Sequence, residues 1–223
     1  MKENTTQQIK GNYLSSNNEF YLIIKRIMDI ILSLIGIIIF SPVFLYVSIR
    51  ILLEDGKPIF FKQKRSGVNG ETFYIYKFRS MKVTNNHSPG KSPYDWENGV
   101  PDDFVFKSTK EFHPSVTNIG RIIRKYSLDE LPQFFNVLKG EMSMVGPRPE
   151  IVEITACYSE HQFQRLFAKP GITGWAQVNG RSEIPHGEKI EYDLYYVKNN
   201  SFLLDLRILF KTIVNTVLAK DSI

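Results

Sequence analysis

The sequence predicts a mostly helical α+β protein with an apolar helical segment near its N-terminus, a small β-hairpin and amphipathic helices suited to a membrane interface. Residues 30–49 are uncharged and mostly large and apolar, over the length that a membrane helix requires. Two short alternating segments flank a turn at 67–70, as in a β-hairpin. Much of the chain after residue 116 has a helical pattern instead.

Composition limits the classes of function. With 223 residues and 43% hydrophobic content, the chain can bury the core of one domain and is not disordered. A net charge of +5 suits a nucleic acid, an anionic membrane or phosphorylated ligands. The single cysteine, Cys157, cannot form an internal disulfide and is expected to be a small buried residue. The four histidines are scattered, so no zinc site is predicted.

The apolar segment permits two topologies. Residues 1–24 begin with a polar stretch and predict a mobile tail, which leaves 25–53 as the anchor. Ser41 and Pro42 interrupt the apolar run near its middle, where a proline kinks or breaks a helix. Basic residues flank both ends, so both ends prefer the cytoplasm. A kinked spanning helix and a re-entrant helix that enters one leaflet and returns both fit these facts.

Loops and helices follow the hairpin. Residues 84–103 lack any period and predict a surface loop. A helical pattern covers 116–139 with an interruption near Ser127, and the last 35 residues are helical again. Pro-Gly, Thr-Gly and Asn-Gly pairs within 169–181 predict a string of turns.

Two adjacent carboxylates, Asp129 and Glu130, lie near an expected helix N-terminus. Such an end binds anions, Arg124 lies upstream where it could hold a phosphate, and the location is expected to keep Asp129 ionised, as a nucleophile must be. Neighbouring helical side chains diverge by about 100°, so one acid could attack phosphorus while the other holds Mg²⁺. The structural alternative is a capping box formed by Ser127 and Glu130.

Three further cations are weaker candidates. Prolines on both sides of Arg148 restrict its backbone, and a pre-positioned guanidinium suits a diphosphate. A rigid turn whose arginine faces water is the simpler explanation. Lys77 and Arg79 share one face of the second hairpin strand, where a solvated surface would explain both.

Five segments of the chain resemble the small phosphoglycosyl transferases, also called bacterial sugar transferases. They follow the family's order from about Lys25 to the C-terminus, and they read "KRIMDIILSLIGIIIFSPVFL", "IFFKQKRSGVNGETFYIYKFRSM", "GRIIRKYSLDELPQFFNVLKGEMSMVGPRP", "KPGITGWAQVNGR" and "YDLYYVKNNSFLLDL". The resemblance implies a monotopic protein of the bacterial inner membrane, whose helix breaks at Ser41-Pro42, dips into the cytoplasmic leaflet and returns. Residues 54–223 would then be the catalytic domain on the cytoplasmic face.

The implied reaction transfers a sugar 1-phosphate from a UDP-sugar to undecaprenyl (polyprenol) phosphate and releases UMP. It would be the first membrane step of capsule, exopolysaccharide, O-antigen or glycoprotein glycan assembly. By the same resemblance, Asp129 is the nucleophile, Glu130 is the Mg²⁺ ligand and Arg124 binds phosphate. Further family positions in or around the active site are Arg148, Lys77 and Asp193, with Arg79, Gln177 and Arg181 as weaker matches.

The chain also departs from its relatives. His113, Pro114 and Ser115 stand where many relatives have Asp-Pro-Arg, and the loop over 84–112 is longer than in the smallest members. These departures leave the transferred sugar open, as they do the pathway and the oligomeric state. The transmembrane helices that precede this domain in larger relatives are missing, which predicts a catalytic module alone.

Two other classes of function were weighed against the enzyme. A catalytically silent membrane scaffold for glycan-assembly enzymes would retain these motifs for folding, but the intact Asp129-Glu130 pair and Arg124 count against it. A nucleic-acid-binding protein would explain the charge. Its basic residues flank an apolar segment rather than forming one run, so no nucleic-acid partner is expected.

Overall fold

The computed structural model describes residues 19–82, 96–105, 114–180 and 184–218. The helices are α1 Glu19–Ile39, α2 Ser41–Asp55, α3 Asn118–Lys125, α4 Gln133–Lys139, α5 Val152–Thr155, α6 Glu160–Phe163, α7 Trp175–Gly180, α8 His186–Asn199 and α9 Phe202–Leu218. The strands are β1 Phe60–Ser66, β2 Thr72–Phe78, β3 Ser143–Val145 and β4 Gly171–Thr173. Short 3₁₀ turns occupy Val68–Gly70, Leu128–Glu130 and Gln164–Phe167. The predicted class, mostly helical with small sheets, is confirmed.

Several sequence expectations concern residues outside these ranges. Most of the predicted tail, most of the 84–112 loop and Arg181 lie there. Helix α1 begins at Glu19, so the predicted boundary between tail and anchor at residue 24 falls inside a helix. Cys157 is half-buried rather than buried, because it follows the short helix α5 at the surface.

Helices α1 and α2 meet at Phe40 with a bend of 59°. Pro42 has no N–H to donate to the carbonyl of Ile38, which is four residues earlier. The Ser41 hydroxyl donates to that carbonyl instead, at 2.8 Å. The Ser-Pro pair therefore breaks the helix and satisfies the acceptor that the break exposes. Among the described residues, no single helix has both the length and the apolarity to cross a bilayer, whereas α1 and α2 meet those criteria together.

Helix α1 has the reverse of the usual polarity of a surface helix. Its buried positions are Lys25, Asp29, Ser33 and Gly36. Its exposed positions include large apolar residues, namely Phe20, Leu22, Ile23, Ile27, Ile31, Leu34, Ile35, Ile38 and Ile39. A helix of a water-soluble protein buries its apolar face. Helix α1 instead presents apolar side chains outward and polar ones to the protein.

The polar face of α1 docks on β3 and α4. The carboxylate of Asp29 accepts from the Ser143 hydroxyl at 2.9 Å and from the Met144 N–H at 2.8 Å. The Arg26 guanidinium donates to the carbonyls of Val137 and Leu138, both at 2.7 Å. These carbonyls lie at the end of α4, where cations are favourable.

Strands β1 and β2 form the predicted hairpin, antiparallel from the pair Phe60–Phe78 to the pair Ser66–Thr72. The outer edge of β2 is paired by one side chain of α4. Asn136, which is fully buried, accepts from the Tyr76 N–H at 3.0 Å and donates to the Tyr74 carbonyl at 2.7 Å. Its amide thereby replaces a neighbouring strand and fixes α4 against the hairpin.

Strands β3 and β4 pair in parallel, with Ser143 opposite Gly171 and Val145 opposite Thr173. The chains approach closely just beyond the pair, since a Cβ on Gly146 would lie 2.1 Å from the Lys169 carbonyl oxygen. The prediction of a string of turns over 169–181 is therefore wrong for β4 and α7. The glycines there allow backbones to touch instead of reversing the chain.

The turn that carries the two acidic residues rests on α2. Leu128 and Leu131 pack against a buried cluster that includes Val47 and Ile51 of α2. The end of the same helix caps α3, because the Glu54 carboxylate accepts from two N–H groups in the first turn of α3, at 2.6 and 3.0 Å. The fold thus fixes the candidate site directly against the bent helix pair.

Candidate active site

Asp129 and Glu130 lie in a 3₁₀ turn between two helices. Ser127 precedes the turn in the left-handed conformation, with φ 54°, and caps nothing with its side chain. The helix that follows begins only at Gln133. The alternative of a capping box between Ser127 and Glu130 is therefore wrong, because the backbone at Ser127 separates the turn from any helix start and Glu130 points to other partners.

Glu130 is held by two cations. Its Oε1 accepts from Lys77 Nζ at 2.7 Å and from Arg148 Nη2 at 2.6 Å, and its Oε2 accepts from Arg148 Nη1 at 3.3 Å. Burial opposes ionisation of this carboxyl, but Arg148 and Lys77 outweigh it and lower the pKa of Glu130 to about 2. The group is therefore an anion at any physiological pH.

Asp129 has the opposite electrostatics. Burial and the neighbouring charge of Glu130 raise the pKa of Asp129, although Lys77 and Arg124 oppose the rise. The helix end that was expected to keep Asp129 ionised is not there, because the next helix begins only at Gln133 and the carboxyl lies in a half-buried turn beside another anion. Glu130 is held by ion pairs with Lys77 and Arg148, whereas the carboxylate of Asp129 accepts a hydrogen bond from its own backbone.

Three of the predicted cations surround these acids. Arg124 is exposed, donates from Nε to the Ser80 hydroxyl at 2.8 Å, and is close enough to lower the pKa of Asp129. Lys77 is not a solvated strand residue, because it pairs with Glu130. Arg148 contacts Glu130 while 46% of its side chain remains exposed. The turn thus combines two carboxylates with three cations at one accessible place.

Two other candidates, Arg79 and Gln177, form hydrogen bonds with residues outside the acidic turn. Arg79 is buried and ties the end of β2 to the exit of α2, through Asp55 Oδ2 at 3.1 Å and the Gly56 carbonyl at 2.7 Å. Gln177 donates to the Ile172 carbonyl at 3.0 Å. These contacts support the frame of the site.

Asp193 contacts a residue that the sequence reasoning missed. Its Oδ2 accepts from Nε of Arg165 at 2.9 Å, and both side chains are almost fully buried. Nη2 of that guanidinium, which also contacts Asp193, donates to the Arg148 carbonyl at 3.0 Å. The sequence does offer one signal for Arg165, which directly precedes the apolar residues Leu166 and Phe167. An arginine buried beside such residues requires a charged partner.

The carboxylates fit Mg²⁺ only in part. Within the described ranges, no group of three or more potential ligand side chains is assembled. Mg²⁺ in proteins often takes one or two carboxylates together with substrate phosphates, which the two acids could supply with a phosphorylated ligand. Arg148 would have to release an oxygen of Glu130 for that purpose, because Arg148 and Lys77 occupy both oxygens.

Comparison with known proteins defines the class. The family model described as bacterial sugar transferase matches residues 20–219, so the chain belongs to that family and the resemblance of its five segments is confirmed. It is 42% identical to the uncharacterized sugar transferase EpsL of Bacillus subtilis, over 91% of each chain.

Two further relatives carry more specific names. The chain is 39% identical to the undecaprenyl-phosphate galactose phosphotransferase of Salmonella typhimurium, over 96% of this chain and 44% of the relative. It is 38% identical to the UDP-glucose:undecaprenyl-phosphate glucose-1-phosphate transferase of Xanthomonas campestris, over 92% of this chain and 41% of the relative. The chain therefore spans less than half the length of these two relatives.

Proposed function

We propose that this protein transfers a sugar 1-phosphate from a UDP-sugar to undecaprenyl phosphate, giving polyprenyl-diphosphate-sugar and UMP, in the assembly of an extracellular glycan. The observation that carries the proposal is the half-buried Asp129 beside Glu130, with Lys77, Arg124 and Arg148 around them. The name of the Xanthomonas relative supports a UDP-sugar donor, and the names of the Salmonella and Xanthomonas relatives both support undecaprenyl phosphate as the acceptor.

The reaction proceeds in two displacements at one phosphorus atom. An oxygen of Asp129 attacks the sugar-bearing phosphorus, the bond from phosphorus to the bridging oxygen breaks, and UMP leaves with that oxygen. A phosphate oxygen of the polyprenol carrier then attacks the aspartyl phosphosugar, breaks its bond to Asp129 and restores the carboxylate. Such displacements require mainly positioning and neutralisation of charge.

The surrounding cations have distinct tasks in this scheme. Arg148 is exposed enough to exchange Glu130 for the donor diphosphate, and the exposed Arg124, whose charge acts on Asp129, is available for a second phosphate. Lys77 stays with Glu130 and favours the ionised form of Asp129. A Mg²⁺ ion, held by Glu130, would supply further neutralisation of the diphosphate charge.

The bent helix pair α1–α2 is proposed to be a re-entrant membrane anchor. The outward apolar face of α1 and the break at Ser41-Pro42 support this arrangement. The stretch from Ile27 to Phe40 would reach about 20 Å as a helix, enough to enter one leaflet. Both helix ends and the catalytic domain then lie at the cytoplasmic face of the inner membrane, where a soluble donor and a lipid acceptor can use one site in turn.

A UMP-release assay tests the reaction. The purified protein is incubated with undecaprenyl phosphate, Mg²⁺ and a panel of UDP-sugars, beside an Asp129→Asn variant. We expect release with at least one sugar and a loss of about four orders of magnitude in the variant, as for other covalent nucleophiles. Full activity of the variant would remove Asp129 from the mechanism, and no release with any sugar would favour the silent scaffold.

Cysteine labelling tests the topology. In a Cys157→Ser background, single cysteines are introduced as Glu19→Cys or Lys57→Cys, at exposed positions on the two ends of the helix pair. In bacterial spheroplasts, a membrane-impermeant maleimide should label neither position until the membrane is permeabilised. Labelling of one position and not the other in intact spheroplasts would indicate a spanning helix.

A further inference from the structure

The backbone from Val145 to Pro149 is held by cations from three distant parts of the chain. Three of its carbonyls accept hydrogen bonds from these cations. The Val145 carbonyl accepts from Lys25 Nζ at 3.0 Å, and the Arg148 carbonyl accepts from Arg165 Nη2 at 3.0 Å. The Pro149 carbonyl accepts from Arg65 Nη1 at 3.4 Å. The two residues between are fixed by β4, because Gly146 donates to Thr173 at 2.8 Å and Pro147 accepts from Gly171 at 2.9 Å. The segment that carries Arg148 is thus fixed along its whole length.

Each of these cations has a carboxylate partner. Lys25 pairs with Asp205 at 2.8 Å, and Arg65 lies 3.8 Å from Glu150. Arg165 pairs with Asp193 in the most buried of the three pairs, since both side chains have 1% or less of their surface exposed. Apolar residues of similar volume are often at least as stabilising as a buried ion pair. A function other than stability is therefore a reasonable hypothesis for the pair of Arg165 and Asp193.

The contacts of Arg165 link a buried carboxylate to the candidate site. Nε and Nη2 of its guanidinium both contact Asp193, and Nη2 also reaches the Arg148 carbonyl, which is the main chain of a residue at the candidate site. The Arg148 side chain, in contrast, is 46% exposed and bonds only to Glu130 in the hydrogen bonds described above. The backbone of Arg148 is therefore fixed while its guanidinium can change partner.

We propose that Arg165 is a positioning residue, which with Asp193 fixes the main chain of Arg148 so that the Arg148 guanidinium can alternate between Glu130 and the donor diphosphate. This inference rests on the proposed function of the site. Arg165 does not contact the reacting atoms. It acts through Arg148, and a displacement of about 1 Å in such a group can cost about 10²-fold in rate.

Two variants separate positioning from packing. Arg165→Lys keeps a cation for Asp193, but its ammonium lies one bond short of the position of Nη2, the nitrogen that donates to the Arg148 carbonyl. The matched control is Tyr158→Phe, because the Tyr158 hydroxyl accepts from Nη1 of the same guanidinium at 2.7 Å and does not contact the segment. We expect kcat/KM for UMP release to fall about 10- to 100-fold in Arg165→Lys, and to change by less than about 3-fold in Tyr158→Phe.

A double-mutant cycle with Arg148→Ala provides the decisive readout. If Arg165 acts through Arg148, then Arg165→Lys should add less than about 3-fold to the loss already caused by Arg148→Ala. Losses that multiply in the double variant would overturn the proposal, since a general packing role would act whether or not Arg148 is present. Asp193→Asn takes the place of Arg165→Lys in the cycle if the lysine variant does not fold, as judged by thermal unfolding.

The cycle also distinguishes failure of this inference from failure of the proposed function. An Arg148→Ala protein with full activity would contradict the role of Arg148 in the reaction, and the positioning of Arg148 would fall with it. A slow Arg148→Ala protein combined with multiplicative losses would overturn the role of Arg165 alone.

Discussion

Glu130 and Asp205 are both paired with a lysine and yet differ in what they can do. Glu130 accepts from Lys77 and Arg148, and 20% and 46% of those side chains are exposed. Asp205 accepts from Lys25 at 2.8 Å, Tyr21 at 2.9 Å and Tyr196 at 2.7 Å. Its own side chain is fully buried.

The difference separates a site whose charged partners can be exchanged from a buried joint, by which we mean Asp205 with the three side chains that donate to it. The partners of Glu130 can turn to a ligand, because water or a substrate can replace the carboxylate that they leave. The partners of Asp205 cannot be exchanged without leaving a buried charge. Asp205 instead joins α9 to α1 and, through the Tyr196 hydroxyl at 3.2 Å from the Val145 carbonyl, to β3. A charged cluster thus indicates function by its accessibility rather than by its composition.

The largest difference between the two carboxylates is expected in the activity of a Glu130 variant. Glu130→Gln should lower kcat/KM for UMP release by about 10²–10³-fold, the usual cost of one electrostatic contact to a reacting group. Its thermal unfolding midpoint should fall far less than that of the matched change at Asp205. An unchanged rate, measured at saturating Mg²⁺, would contradict the assignment of Glu130 to the site.

The matched change is Asp205→Asn. It leaves Lys25 without a counter-charge at a buried position and should lower the free energy of unfolding by about 3–5 kcal/mol. Tryptophan fluorescence during thermal unfolding in detergent would measure the loss. If Asp205→Asn unfolds at a temperature as high as Glu130→Gln does, then Asp205 does not stabilise the fold more than Glu130.

The pH dependence sharpens the description of the site. Because the pKa of Asp129 is raised and the nucleophile must be ionised, kcat/KM for UMP release should fall as the pH is lowered through that raised value. Lys77→Met removes a cation that lowers the pKa of Asp129, so the decline should begin at a higher pH.

Lys62→Met is the control for this shift. Lys62 lies on β1 with its ammonium over the ring of Tyr76. It is not one of the main charges that shift the pKa of Asp129. Its pH profile should match that of the unmodified protein. A profile for Lys77→Met that also matches would exclude the proposed electrostatic link between Lys77 and Asp129.

The smallest effect is expected from Tyr21→Phe. This change removes one hydrogen bond to Asp205 and leaves the two others, so the free energy of unfolding should fall by about 1 kcal/mol. Tyr46→Phe, at an exposed tyrosine on α2, should leave stability unchanged. Equal thermal midpoints for the two variants would contradict a contribution of Tyr21 to the buried joint.

Local features of this fold could be predicted from sequence, while long-range contacts could not. The break at Ser41-Pro42, the hairpin and the interruption near Ser127 follow from nearby residues. The bond from Lys25 to Asp205 joins residues 180 positions apart, which no local pattern reveals. The same holds for Arg165 and Asp193, so the resemblance placed Asp193 near the site without indicating the arginine that it holds.

The capping box failed for a different reason. Ser127 and Glu130 have the required spacing, but the left-handed backbone at Ser127 is rare for serine and cannot be inferred from its identity. The two adjacent acids and the cations that the sequence analysis named nevertheless lie together in the candidate site. Adjacent side chains remain together whatever the backbone does, whereas a cap depends on one conformation.

Intact-protein mass spectrometry can detect the proposed covalent phosphosugar intermediate on Asp129. The protein is incubated with its UDP-sugar and Mg²⁺ in the absence of polyprenol phosphate, beside Asp129→Asn, and is then quenched. We expect an added mass equal to one sugar phosphate on the unmodified protein, which is lost on addition of undecaprenyl phosphate and is absent from the variant. An adduct of the same mass on Asp129→Asn, or UMP release without any adduct, would contradict a covalent intermediate on Asp129.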